Sequence, residues 1–280
     1  MERRFIVRGL LVGAIGGILA FVFARIFAEP QIQAAIDYES GRDAAQALLD
    51  KAAGLPAEAA DPDLFSRTIQ ANVGIGAGMI LFGAAMGGLY AVAYILACGR
   101  TGNLAPRPLA LLVALGGFLG FYLIPFVKYP ANPPAVGHEE TIRGRSGLYL
   151  LMVVLSILLL VLAVWLGQRL KARFGNWNAT LLAGLGCVVA LGIVMFVLPE
   201  LGHLHANVEE YGRHATETPL PLKNAQGQIV YPGFPADVLF KFRLYSVGAQ
   251  AILWAAMGLC FAPLAERLLS KTPAQVPVAV

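Results

Sequence analysis

Charge is scarce in this chain. Only 14% of its 280 residues are Asp, Glu, Lys or Arg, against about 25% in an ordinary soluble domain. With 58% hydrophobic residues and a mean hydropathy of +0.67, the composition excludes a water-soluble fold. Cysteine is scarce too. Cys98, Cys187 and Cys260 share no C-x-x-C spacing and none lies in an external loop, so each reads as a small packing residue. A phosphate-binding P-loop, a nucleophile elbow and an HExxH pair are all missing, which removes the sequence grounds for an ATPase, a serine hydrolase or a zincin. We therefore expect no enzyme and no permanently bound cofactor, and nothing points to nucleic acid. The alternation of barrel strands is missing as well: Leu148–Leu160 is continuously apolar. In lipid only helices and closed barrels satisfy their own backbone, so the chain is expected to be all-α.

What is present is a set of six runs with almost no charge, at about residues 5–27, 72–98, 109–127, 148–167, 179–198 and 244–265. A helix crossing about 30 Å of hydrocarbon needs about 20 apolar residues, and these runs meet that requirement. Arg8, near the start of the first, can snorkel to the interface. The first run is about twice the length of a secretory h-region and no A-x-A site follows it, so it reads as a retained helix. The expected architecture is a single polytopic membrane domain over 1–280, multi-pass in a bacterial inner membrane.

Lys and Arg set the orientation. Arg3, Arg4 and Arg8, then Arg100 and Arg107, then Arg169, Lys171 and Arg173, then Arg267 and Lys271 all fall on one side in short segments. The other side receives the longer segments at about 29–71, 128–147 and 199–243. Both termini are expected to be cytoplasmic.

Small residues recur at four-residue spacing in Gly9, Gly13 and Gly17, in Gly83 and Gly87, and in Gly116 and Gly120. Such faces let helices approach closely where lipid supplies no hydrophobic drive, and packing within one subunit is expected. In the first external segment Ile32, Ala35, Ile36, Ala44, Ala47 and Leu48 predict an amphipathic helix on the membrane surface, broken at Gly54-Leu55-Pro56 and by Asp61-Pro62-Asp63. The second, Lys128–Gly137, carries Pro130, Pro133 and Pro134, which forbid helix and favour a rigid, extended path.

Candidate metal ligands lie on the external side. His203 and His205 share a face if the chain is extended; His205 with Glu209, or Glu210 with His214, share one on a helix. Imidazole with carboxylate suits cobalt, nickel, copper or zinc, and a solvated polar loop is the competing reading. His138-Glu139-Glu140 is a weaker candidate. Ionisable groups are almost absent within the spans, which disfavours a buried proton relay. Met79 and Met86 share a face, more simply as core filling than as a soft-metal path. Arg25 and Glu29 read as an interfacial ion pair.

Several strings then resemble the CbtA family, the probable cobalt transporter subunits of bacteria. They are Arg8-Gly9-Leu10-Leu11-Val12-Gly13; Phe27–Ile32 with Ala35-Ile36-Asp37-Tyr38-Glu39; Pro125–Gly137; Trp177–Ala183; and Gly233-Phe234-Pro235-Ala236-Asp237 leading to Phe242-Arg243 and Ser246. The resemblance is weakest between Pro199 and Phe234. It implies a subunit for cobalt uptake linked to cobalamin supply, paired with a small single-span CbtB-like partner, with a divalent cobalt ion as substrate. A hydrated ion would then meet Glu29, Asp37, Glu39, His203, His205, Glu209 and His214 on the external face. The alternative is a non-transporting membrane scaffold whose proline-rich loop docks another chain.

Overall fold

A computed structural model describes residues 2–56, 65–102, 104–212 and 216–270. Helix α1 spans Glu2–Phe27, and α2 spans Glu29–Ala52 with Pro30 in its first turn, where a missing N–H costs no hydrogen bond. Helices α3 (Arg67–Ala97) and α4 (Pro106–Lys128) follow. A continuous helical stretch, Ile142–Val197, is interrupted at Gly175 (φ 72°) into α5 (142–174) and α6 (176–197). Helix α7 is His205–Tyr211 and α8 is Ala236–Ser270. A short antiparallel pair, β1 (Leu222–Lys223) and β2 (Ile229–Tyr231), is the only sheet among the described residues. Five helical stretches are long and apolar enough to cross a membrane, the α5–α6 stretch counted once. The protein is an all-α polytopic membrane bundle.

The interruption at Gly175 turns that stretch into a hairpin. A Cβ on Gly167 would lie 3.5 Å from that of Ala183, the Cys187 thiol lies 3.7 Å from the Leu159 carbonyl oxygen, and Met152 clusters with Leu191. These pairs step back in register, as antiparallel helices do. Hydropathy places an eleven-residue cytoplasmic connection at 168–178; instead helix continues through Arg169, Lys171 and Arg173, and only Gly175 turns. The guanidinium of Arg169 lies 5.1 Å from the centre of the Trp165 ring. Its charge is thereby held beside an amphipathic ring.

The described chain forms two compact units. One takes the described residues of Met1–Ala24, Arg67–Phe118 and Gly248–Val280. Here the glycine spacing acts as a zipper: Gly9 packs on the Gly87 backbone, Gly13 on Gly83, and a Cβ on Gly17 would lie 2.5 Å from the Met79 carbonyl oxygen. Backbones come this close only where at least one of the facing residues is a glycine. Below the zipper Phe5, Tyr90, Tyr94 and Phe261 form an aromatic cluster, with Tyr90 and Phe261 edge-on at 5.0 Å. Tyr90 donates to the Ala110 carbonyl at 2.8 Å and Arg8 to that of Leu264 at 2.9 Å, so the charge near the start of the first run is partnered.

The second unit takes the described residues of Arg25–Ser66 and Leu119–Val247. In it Ala35 and Tyr38 of α2 pack on Val136 and Phe234, and Tyr38 donates to the Pro232 carbonyl at 3.0 Å. The apolar stripe expected on α2 is therefore covered by protein in its first half, while Ala44, Ala47 and Leu48 stay exposed. The break at Gly54 is present (φ 75°); Asp61-Pro62-Asp63 lies outside the described residues. In α4 a π-helical turn at Phe118–Leu123 precedes Pro125, which cannot donate to the Phe121 carbonyl. That oxygen accepts from the Tyr149 hydroxyl at 3.2 Å, satisfying a group that lipid could not.

Candidate functional site

The proline-rich segment contains no helix between Tyr129 and His138, as its prolines dictate. It is not simply extended: Val136 N–H donates to the Pro133 carbonyl, and Ala135 (φ 65°) and Gly137 (φ 104°) adopt left-handed backbone. Gly137 is needed for a second reason, because a Cβ there would strike the Arg145 guanidinium.

This loop encloses Glu217, whose side chain is 1% exposed. Its carboxylate accepts from Asn207 Nδ2 at 2.8 Å, Thr141 Oγ1 at 3.1 Å and Asn132 Nδ2 at 3.3 Å, with Arg145 Nη1 at 3.6 Å. Its main-chain oxygen accepts from Gly137 N–H. Behind Asn132, Arg243 donates to Asn132 Oδ1 at 2.7 Å and to the Ala131 carbonyl at 3.3 Å. A buried carboxylate persists only when hydrogen-bonded and charge-paired, and this network does both while tying the proline loop to α5, α8 and the segment after α7.

The sequence-predicted ligands are placed apart from this network. Glu29 is buried at the start of α2. Asp37, on the exposed side of α2, accepts from Gln33 at 2.8 Å. The Glu39 carboxyl is pushed above the usual range, first by desolvation and then by Asp43 and Glu139. His203, in a 3-10 turn, lies 3.8 Å from Glu200, and His205 lies 3.3 Å from Glu209 one turn along α7. Of the expected pairings the structure brings together His205 and Glu209. The residue between His203 and His205, Leu204, has extended backbone (φ −65°, ψ 144°) and joins a 3-10 turn to α7. His138 Nδ1 accepts from Glu140 N–H at 3.3 Å. His214 lies outside the described residues. Among the described residues no three His, Cys, Asp or Glu side chains converge as a metal-binding group.

Sequence reasoning missed the Glu217 network. A signal existed: Asn132 and Arg243 both fall in strings that carry the family resemblance. The described residues also line two cavities. One of about 540 Å³ is walled by Tyr122, Phe126, Tyr129 and Tyr149 with Asn132 and Arg145. The other, about 190 Å³, lies among α1, α3 and α8 beside Met79 and Gln250.

No curated protein and no solved structure matches this chain. The family described as "Probable cobalt transporter subunit (CbtA)" matches residues 2–266, nearly the whole length. A polytopic helix bundle, intramembrane segments almost free of charge and a match of that extent agree: the chain belongs to the CbtA family and is a membrane transporter subunit.

Proposed function

We propose that this chain forms the membrane part of a cobalt uptake system of the bacterial inner membrane, supplying cobalt for cobalamin. The family match over residues 2–266 carries this reading. In it the chain crosses six times, with α5 and α6 as separate spans and both termini cytoplasmic. The segments at about 29–71, 128–147 and 199–243 face outward. A hydrated Co2+ is gathered there by Glu29, Asp37, Glu39, His203, His205, Glu209 and His214. It sheds part of its water before entering low dielectric, where a bare divalent ion is costly. Backbone carbonyls, Met79 and Met86 then offer donors along the bundle.

The described residues contain no convergent three-ligand group, which favours a path completed by a second subunit, of the small single-span CbtB kind. The same observation supports a scaffold that serves a partner's path. The deciding experiment is cobalt accumulation at low micromolar supply in cells without other cobalt importers. The chain is expressed alone and beside its small partner, with nickel and zinc in parallel. Cobalt uptake that needs the partner, and that falls at least several-fold in a combined Glu29→Ala, His203→Ala, His205→Ala variant, is the expected result. Full uptake by that variant, correctly inserted, would transfer the metal-handling role to the partner and leave this chain as scaffold.

A further inference from the structure

The 540 Å³ cavity is not a cation site. Its lining carries one charged group, the Arg145 guanidinium, and the carboxylate facing that group, Glu217, is 1% exposed and already serves three neutral donors. Arg145 is poorly satisfied. Glu217 is 3.6 Å away, its Nη2 reaches the His138 carbonyl only at 3.4 Å, and its buried Nε has no acceptor among the described residues. A guanidinium has five donors in a fork that matches a phosphate, and a quarter of this side chain is exposed. The nearest walls are aromatic, with Tyr122 and Phe126 stacked at 5.1 Å.

The rim tells what kind of anion fits. Ile142, Ser146 and Leu150 lie one turn apart on α5 and are exposed at the cavity. The face of Leu150 continues through Val154 and Val161, exposed at 52% and 62%. From Leu150 to Val161 is about 17 Å at 1.5 Å per residue, close to the ~15 Å hydrocarbon depth of one leaflet. Arg145 sits about 5 Å beyond Leu148, where the uncharged run begins, so it lies at headgroup level. A cationic, aromatic-walled pocket that opens onto an apolar stripe one leaflet deep matches a molecule with an anionic head and an alkyl chain. We propose that this cavity binds a membrane phospholipid, its phosphodiester on Arg145 and one acyl chain along Leu150, Val154 and Val161. This inference rests on the membrane bundle, not on the transported ion.

The test is native mass spectrometry of the delipidated full chain in mild detergent, titrated with three probes: phosphatidylglycerol, diacylglycerol with the same chains, and glycerol 3-phosphate. Phosphatidylglycerol should bind, and the two partial ligands should bind at least about tenfold more weakly, since each lacks one half of the site. Arg145→Gln should weaken phosphatidylglycerol about tenfold, with Arg145→Lys between, while Arg143→Gln, two residues away and exposed, should not. Because Arg145 also touches Glu217, Ser146→Trp provides a variant that fills the cavity mouth without entering that network, and it should block binding in a protein that melts normally. Equal binding by wild type and Ser146→Trp would overturn the site. Diacylglycerol binding as tightly would leave only a greasy groove, and glycerol 3-phosphate binding as tightly would make it a site for free phosphate; either result rejects the lipid assignment.

Discussion

Glu217 shows how one side chain governs a loop. Its carboxylate is the shared acceptor of Asn132, Thr141 and Asn207, and removing it strands buried donors together with the Arg145 charge. Breaking a buried, hydrogen-bonded charge pair from one side costs roughly 3–5 kcal/mol, whereas a surface carboxylate contributes close to nothing. Glu217→Ala should therefore lower the melting temperature of the detergent-solubilised protein sharply. Glu217→Gln, which keeps one acceptor oxygen, should fall between it and wild type. Glu209→Ala, whose side chain is 68% exposed, is the control. Equal melting of Glu217→Ala and Glu209→Ala would show that the network does not hold the loop.

At the level of elements, identical sequence spacings have different fates. Gly13 and Gly116 both begin a four-residue glycine step, yet a Cβ on Gly13 would meet the Gly83 carbonyl, and one on Gly116 would meet nothing within 4 Å. Overpacking against a backbone that cannot rotate away costs about 1–3 kcal/mol. Gly13→Ala should destabilise by at least that amount in a thermal melt. Gly116→Ala should stay within about 0.5 kcal/mol of wild type, as an uncrowded position does. Comparable losses at both positions would contradict the zipper. The α5–α6 turn was hidden from hydropathy for a related reason. Charge marks where a helix leaves lipid, whereas the helix itself ends where one residue adopts φ 72°.

For the whole molecule the proposed orientation makes a direct prediction. In a cysteine-less background, Lys171→Cys should react with a membrane-impermeant maleimide only after the cells are opened, and Glu209→Cys should react in intact cells. Labelling of both from outside would refute six crossings with cytoplasmic termini. The exposed apolar surface of this chain, from Leu81 at 70% to Phe196 at 91%, is what a lipid-facing bundle presents, and in water it would aggregate.

Composition and run length by themselves determined the class of protein, the segments able to cross, the prohibition of helix in the proline loop and, through matching strings, the family. These are local properties: transfer to lipid depends on a residue and its neighbours within one span. Only the tertiary structure decided which glycines touch, that α2 is half covered, and that Glu217 meets Asn132 and Thr141 across 85 and 76 residues of chain. Hydrogen bonding and steric contact depend on where distant segments end up. No pattern within a window of twenty residues encodes that.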